Sequence, residues 1–142
     1  RSGAGALSRS STALAVEISF PAGLPGFPDA HRFELAPWGV PDTPFLLLSA
    51  TDDSNVGFVV VPPWVVSPDY EFDLDEGAAE RLGISERTES MVFCVVTLRD
   101  DLADATVNLL GPIVVNRFTL EAAQVVLSRS GYSVHAPLAA AS

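Results

Sequence analysis

Phe45-Leu46-Leu47-Leu48-Ser49-Ala50, then Thr51-Asp52-Asp53-Ser54-Asn55, then Val56-Gly57-Phe58-Val59-Val60-Val61 is the stretch that decides the fold class. Two apolar runs of strand length flank a cluster of polar turn formers, which reads as a β-hairpin. Pro62-Pro63-Trp64 ends the second run, because proline has no N–H to give to a ladder.

Upstream, Arg32 to Leu35 reads as a short strand and Ala36 to Pro44, which carries Trp38, as a proline-rich turn. Pro21 to Pro28 holds three prolines and the glycines Gly23 and Gly26, and is a loop. Leu14, Val16, Ile18 and Phe20 alternate with other residues in a strand pattern. Residues 1–13 are small and polar, without an apolar period, and are expected to be a flexible arm.

Downstream, Asp75 can cap a short helix, Glu76 suits its first turn and Gly83 can end it. Ala78, Ala79 and Leu82 would be its inner stripe. Met91 to Leu98 is apolar at both parities, as a central strand covered on both faces would be. Thr106 to Val115 reads as a strand interrupted by a bulge or bend at Gly111-Pro112. Ala122 to Leu127 fits either period, but Val125-Val126 and Ser130-Gly131 favour a hairpin strand leading into Tyr132-Ser133-Val134. Many short strands, proline and glycine turns and one short helix predict a mostly β domain over residues 14–138: a small antiparallel β-barrel with a short tail at 139–142.

Between hairpin and helix lies Pro68-Asp69-Tyr70-Glu71-Phe72-Asp73-Leu74-Asp75. If it is an extended strand, Tyr70, Phe72 and Leu74 face inward and Asp69, Glu71, Asp73 and Asp75 form a row of carboxylates in water. Each exposed like-charge pair costs up to about 1 kcal/mol. Two readings account for that expense: an edge strand protected from aggregation by its charge, or a surface that meets a basic partner. The whole chain agrees with the second in sign, with a formal net charge of -10 and eight basic residues, all arginine. Such a balance opposes direct nucleic-acid binding, which relies on Lys and Arg against phosphate. It is also compatible with solubility alone.

Catalytic and metal constellations are missing from the sequence pattern. His31 and His135 have no ligand-pair spacing, and Cys94 sits in the most apolar strand as a buried, inert thiol. The Gly23-Leu24-Pro25-Gly26-Phe27 loop opens no helix and is no phosphate cradle. A calcium loop starting at Glu71 would need Gly at Glu76 and Glu at Leu82, and both fail. No metal, cofactor or enzymatic activity is expected. Asn108, in an apolar strand, must be hydrogen-bonded if buried, most simply to loop backbone. Trp38 and Trp64, in proline-rich loops, either plug barrel ends or anchor an interface. The longest apolar run, Val56 to Val66, is broken by Pro62-Pro63 and is far short of the roughly 18 residues a membrane span needs. One cysteine and no evident secretory signal suit a cytoplasmic protein, and the domain is expected to be a monomer.

A series of segments in fixed order closely resembles the family of the flagellar assembly factor FliW. They are Ile18-Ser19-Phe20 with Gly23-Leu24-Pro25-Gly26-Phe27, Pro44-Phe45 with Leu48, Gly57-Phe58-Val59-Val60-Val61 and Pro68-Asp69-Tyr70. Val96-Thr97 and the run Thr106-Val107-Asn108-Leu109-Leu110-Gly111-Pro112-Ile113-Val114-Val115-Asn116 follow, then Gln124-Val125-Val126-Leu127 and Tyr132-Ser133-Val134-His135-Ala136-Pro137-Leu138. Pro63-Trp64 departs from the pattern, as does the arm before residue 14, which the pattern does not include.

The resemblance implies a non-enzymatic cytoplasmic partner switch. Proteins of this family bind unassembled flagellin. When free of it they bind CsrA, the regulator that represses flagellin translation, beside its RNA surface. The family motif does not name the contacts. Charge and alternation nominate Asp69, Glu71, Asp73 and Asp75 for CsrA, and exposed-loop aromatics nominate Phe27, Trp38 and Trp64 for flagellin. Gly23, Pro25, Gly26, Tyr70, Asn108 and Pro112 are expected to be structural. Two competing readings are a flagellin export chaperone without regulator binding, and a cupin-like small-ligand or enzymatic β-barrel.

Overall fold

The structure is a computed structural model that describes residues 16–24, 26–27, 29–37, 44–51, 56–86, 89–98, 104–127 and 130–138. The proposed arm at 1–13, the tail at 139–142, Trp38 and Pro25 lie outside the described residues.

Alternating apolar side chains give the strands β1 (Val16–Ser19), β2 (Arg32–Pro37), β3 (Leu46–Ala50) and β4 (Gly57–Val61). They form an antiparallel meander, and the hairpin read from 45–61 is the β3–β4 pair, with Leu48 opposite Phe58. After β4 the chain makes a single 3-10 turn at Pro63–Val65. Helix α1 (Glu76–Leu82) follows, with Asp75 Oδ2 accepting from Ala78 N at 3.3 Å and Gly83 closing the end at φ +70. That left-handed conformation favours glycine, so cap and stop are those the sequence offers. The other strands among the described residues are β5 (Ser90–Thr97), β6 (Thr106–Val107), β7 (Ile113–Asn116), β8 (Ala122–Gln124) and β9 (Ala136–Pro137).

Strand β5 is the axis of the sheet. One side pairs with β4; the other pairs with β7 over Ser90–Phe93 and with β6 over Val96–Thr97. Val96 faces Val107, so an unbroken ladder would set Phe93 against Leu110; it meets Ile113 instead, three residues on. The residues between form the expected interruption. Asn108 Oδ1 accepts from Leu110 N (3.1 Å) and Gly111 N (2.9 Å), and Pro112 is fully buried. The sheet runs β1-β2-β3-β4-β5-β7-β8, and a parallel bridge between Ser19 and Glu121, with Ser19 N donating to Leu120 O at 2.9 Å, nearly closes it into a barrel. Strands β6 and β9 extend the sheet from the other end of β5.

Three apolar clusters result. Ile18, Phe20, Phe33, Leu48, Val60 and Val115 fill the barrel, with the Phe20 and Phe33 rings edge-on at 5.0 Å. Tyr70, Cys94, Val96, Val107 and Leu109 make a second core. Leu82, Ile84 and Val114 hold α1 against β7. Met91, Phe93 and Val95 pack on the first cluster while Cys94 and Val96 belong to the second, so both faces of β5 are covered.

Two expectations are corrected. Val125 and Val126 do not continue a strand into Tyr132: β8 ends at Gln124 and pairs with β7, and Tyr132-Ser133-Val134 joins no ladder. Ser133 O accepts from Leu109 N and the next residues pair with β6 as β9, so the C-terminal segment serves the second core. The acidic stretch is likewise no strand of the sheet. Its alternation holds, with Asp69, Glu71, Asp73 and Asp75 exposed, Tyr70 buried and Phe72 and Leu74 half-buried. The stretch is therefore not an edge strand of the sheet.

Candidate functional site

What holds the acidic stretch in place is a set of side-chain anchors. Tyr70 is 3% exposed and its hydroxyl donates to Leu109 O at 2.7 Å. The Trp64 indole N–H donates to Tyr70 O at 3.0 Å, although the side chain remains 47% exposed. The Tyr132 hydroxyl accepts from Glu71 N at 2.9 Å and donates to Glu71 O at 3.0 Å, and its ring lies 4.5 Å from that of Tyr70. Asp75 closes the segment as the cap of α1. It is a strap pinned at both ends rather than a rung of the sheet.

Beneath the strap lies a cleft of about 380 Å³. Phe72 and Leu74 line it from the strap, Ile84 from the segment after α1, and Val92 and Val114 from β5 and β7. Glu71, Asp73 and Glu86 contribute carboxylates, and among the described residues no arginine lines it. Glu86 is set by a turn in which Glu89 Oε1 accepts from Ser85 N (2.6 Å) and Glu86 N (3.0 Å). Those two backbone donors hold the Glu89 carboxyl below its ordinary range. Trp64 also lines the cleft. The geometry offers apolar surface with negative charge beside it, a setting for a ligand that is both apolar and cationic.

The nominated residues therefore divide. Glu71, Asp73 and Trp64 meet at one cleft. Asp69 is exposed in the turn leading into the strap, and Asp75 is engaged as a cap. Phe27 is elsewhere, 40% exposed, with its ring edge-on to Phe58 at 5.7 Å. Leu24 and Phe27 exchange backbone hydrogen bonds (3.2 and 2.8 Å) around Gly26, whose φ of +87 is open to glycine without strain. Gly23 also has positive φ.

Two residues escaped sequence reading. Tyr132 holds the strap, but nothing local to a tyrosine 61 positions from Glu71 announces that contact. Asn116, 4% exposed, donates from Nδ2 to Leu82 O (2.7 Å) and accepts at Oδ1 from Phe118 N (2.8 Å) and Thr119 N (3.1 Å). A polar residue ending an apolar strand was the available signal. Cys94 is buried beside Tyr70, and burial pushes its thiol up to about 12, far from a nucleophile's range.

The sequence model of the family described as FliW protein matches residues 4–138. The chain belongs to the FliW family. The match starts inside the segment read as an arm, so part of residues 1–13 lies within the family pattern rather than outside it. The flagellar assembly factor FliW of Bacillus subtilis is 39% identical over 121 residues, covering 85% of this chain and 84% of that protein. That of Desulfitobacterium hafniense is 39% identical over 117 residues, covering 82% and 76%. A crystal structure of the flagellar assembly factor FliW superposes with a TM-score of 0.79 at 32% identity, covering 86% of this chain and 84% of the other. The nearly closed antiparallel β fold, with one α-helix among the described residues, is thus a FliW fold.

Proposed function

We propose that this chain is a non-enzymatic cytoplasmic partner switch in flagellar assembly: it binds flagellin and, when free of it, binds CsrA and relieves repression of flagellin translation. The observation that carries the reading is the strap. Its carboxylates are turned to solvent by alternation and held there by Tyr70, Tyr132 and Trp64, outside any ladder that would explain their charge. An acidic surface docked beside a basic RNA groove repels phosphate and lowers RNA affinity without filling the groove. Trp64 stands at the same cleft as Glu71 and Asp73, so a flagellin segment seated on Trp64 would obstruct CsrA, and exclusion of one partner by the other needs no conformational change.

The double variant Glu71→Lys/Asp73→Lys tests it. Both side chains are exposed, so circular dichroism should report an unchanged fold. CsrA affinity should fall by at least about 2 kcal/mol, since attraction becomes repulsion at two positions. Binding of the native protein to CsrA should weaken with salt, mainly through the on-rate. Flagellin binding should survive if its contact is apolar. Unchanged CsrA affinity in the folded variant would refute the assignment of the strap.

The alternative of a flagellin chaperone without regulator binding predicts no CsrA complex at any salt. The cupin-like alternative needs a ligand space inside the barrel, and Phe20, Phe33, Leu48, Val60 and Val115 occupy that interior.

A further inference from the structure

Among the described residues, no backbone hydrogen bond engages Phe72, Asp73 or Leu74. Their neighbours are fixed: Glu71 at both backbone groups by Tyr132, and Asp75 O by Ala79 N. Three consecutive residues with the alternating exposure of an extended chain thus present, beside the cleft, N–H and C=O groups without a hydrogen-bond partner among the described residues. Such a row is a template for one more strand.

We propose that the strap binds its partner by strand addition: an extended segment in which basic and apolar side chains alternate pairs with the backbone of Phe72–Leu74. The occupant's chemistry follows from the host. Side chains directly opposite each other in paired strands share a face. Opposite Phe72 and Leu74 they point into the cleft, over Ile84, Val92 and Val114, and must be apolar. Opposite Asp73 they point to solvent among Glu71, Asp73 and Glu86, and must be cationic. Main-chain bonds supply affinity, and the two alternating faces supply selection. The cleft volume is within the range of a site that takes a few side chains.

This inference rests on the strap being the surface that meets a basic partner, and it adds how that partner is held. The probe is a terminally blocked hexapeptide of alternating arginine and leucine, compared with one of the same composition in which three arginines precede three leucines. Titrated into isotopically labelled protein, the alternating peptide should slow amide exchange within Phe72–Leu74 by about tenfold or more at saturation, as new strand bonds do. The blocked-sequence peptide, and an alternating peptide N-methylated at every second residue, should each bind about tenfold more weakly. Ala79→Phe, which puts bulk into the cleft from α1 without touching a carboxylate, should weaken the alternating peptide and leave the melting temperature near that of the native protein. Equal binding of the two arginine-leucine peptides, or binding without protection at 72–74, would overturn strand addition. If Glu71→Lys/Asp73→Lys abolishes CsrA binding while the alternating peptide fails to bind, the charge reading stands and strand addition falls. If the peptide binds as described and CsrA affinity is unmoved by the double variant, strand addition stands and the assignment to CsrA falls.

Discussion

Cys94 and Tyr70 share one buried environment, and both hold their protons harder than they would in water. Burial is the largest cause in each case: it raises Cys94 from 9.0 to about 12 and raises Tyr70 above its ordinary range as well. The unfolded chain releases the thiol proton near pH 9, while the folded chain keeps it. The stabilising contribution is therefore complete below pH 9 and is lost as pH climbs toward about 12, because the unfolded state then binds fewer protons than the native one. Melting temperature should be flat from neutral pH to about 8.5 and fall steadily above it, given the ordinary thiol range. Cys94→Ala should make that fall shallower, whatever its effect at neutral pH. An unaltered slope would show that the thiol titrates alike in both states. Cys94 was legible as a buried thiol because its strand is apolar at both parities. Its coupling to Tyr70 was not, since the two are distant in sequence and meet only through the second core.

Among the elements, the junction of α1 with the β7–β8 turn depends on Asn116. Its amide satisfies a helix-end carbonyl at Leu82, and its oxygen takes two turn amides. Truncation leaves buried polar groups unpaired at about 1–3 kcal/mol. Asn116→Ala should therefore lower urea-unfolding stability by about that amount, with an unchanged m-value. A change under about 0.5 kcal/mol would place it with ordinary surface substitutions. Elements were readable where one local rule governed them: Asp75 and Gly83 bound the helix, Pro62-Pro63 stops β4, and polar turn formers join β3 to β4. They were misread where partners came from afar. The segment after Gln124 has good strand composition but is claimed by Pro112 O and Leu110 O, which accept from Val125 N and Leu127 N. The strap alternates like a strand yet finds its bonds in tyrosine and tryptophan side chains. Alternation reports which side of a chain faces the core, and says nothing of whether a neighbouring strand is there.

For the molecule as a whole, class and family were legible because they rest on patterns spread over the entire length, each weak and all consistent. The candidate site was half legible. Charge and alternation located Glu71 and Asp73, but the cleft that joins them to Trp64 is made by the return of β5, β7 and α1, which no local pattern encodes. The position of β5 has a consequence for how the domain comes apart. One face of that strand closes the barrel interior and the other roofs the core around Tyr70, while its two ends carry different partners along one edge. Neither half can lose order without stripping the strand that the other half needs. The domain should therefore melt as one cooperative unit: in a Trp38→Phe variant, Trp64 fluorescence, which reports the region of the strap, and far-ultraviolet circular dichroism, which reports all the strands, should trace superimposable transitions in denaturant. Two separated midpoints would mean that the strap and its core can detach from an intact barrel, which would make the proposed binding of a basic partner a matter of local order as well as of charge.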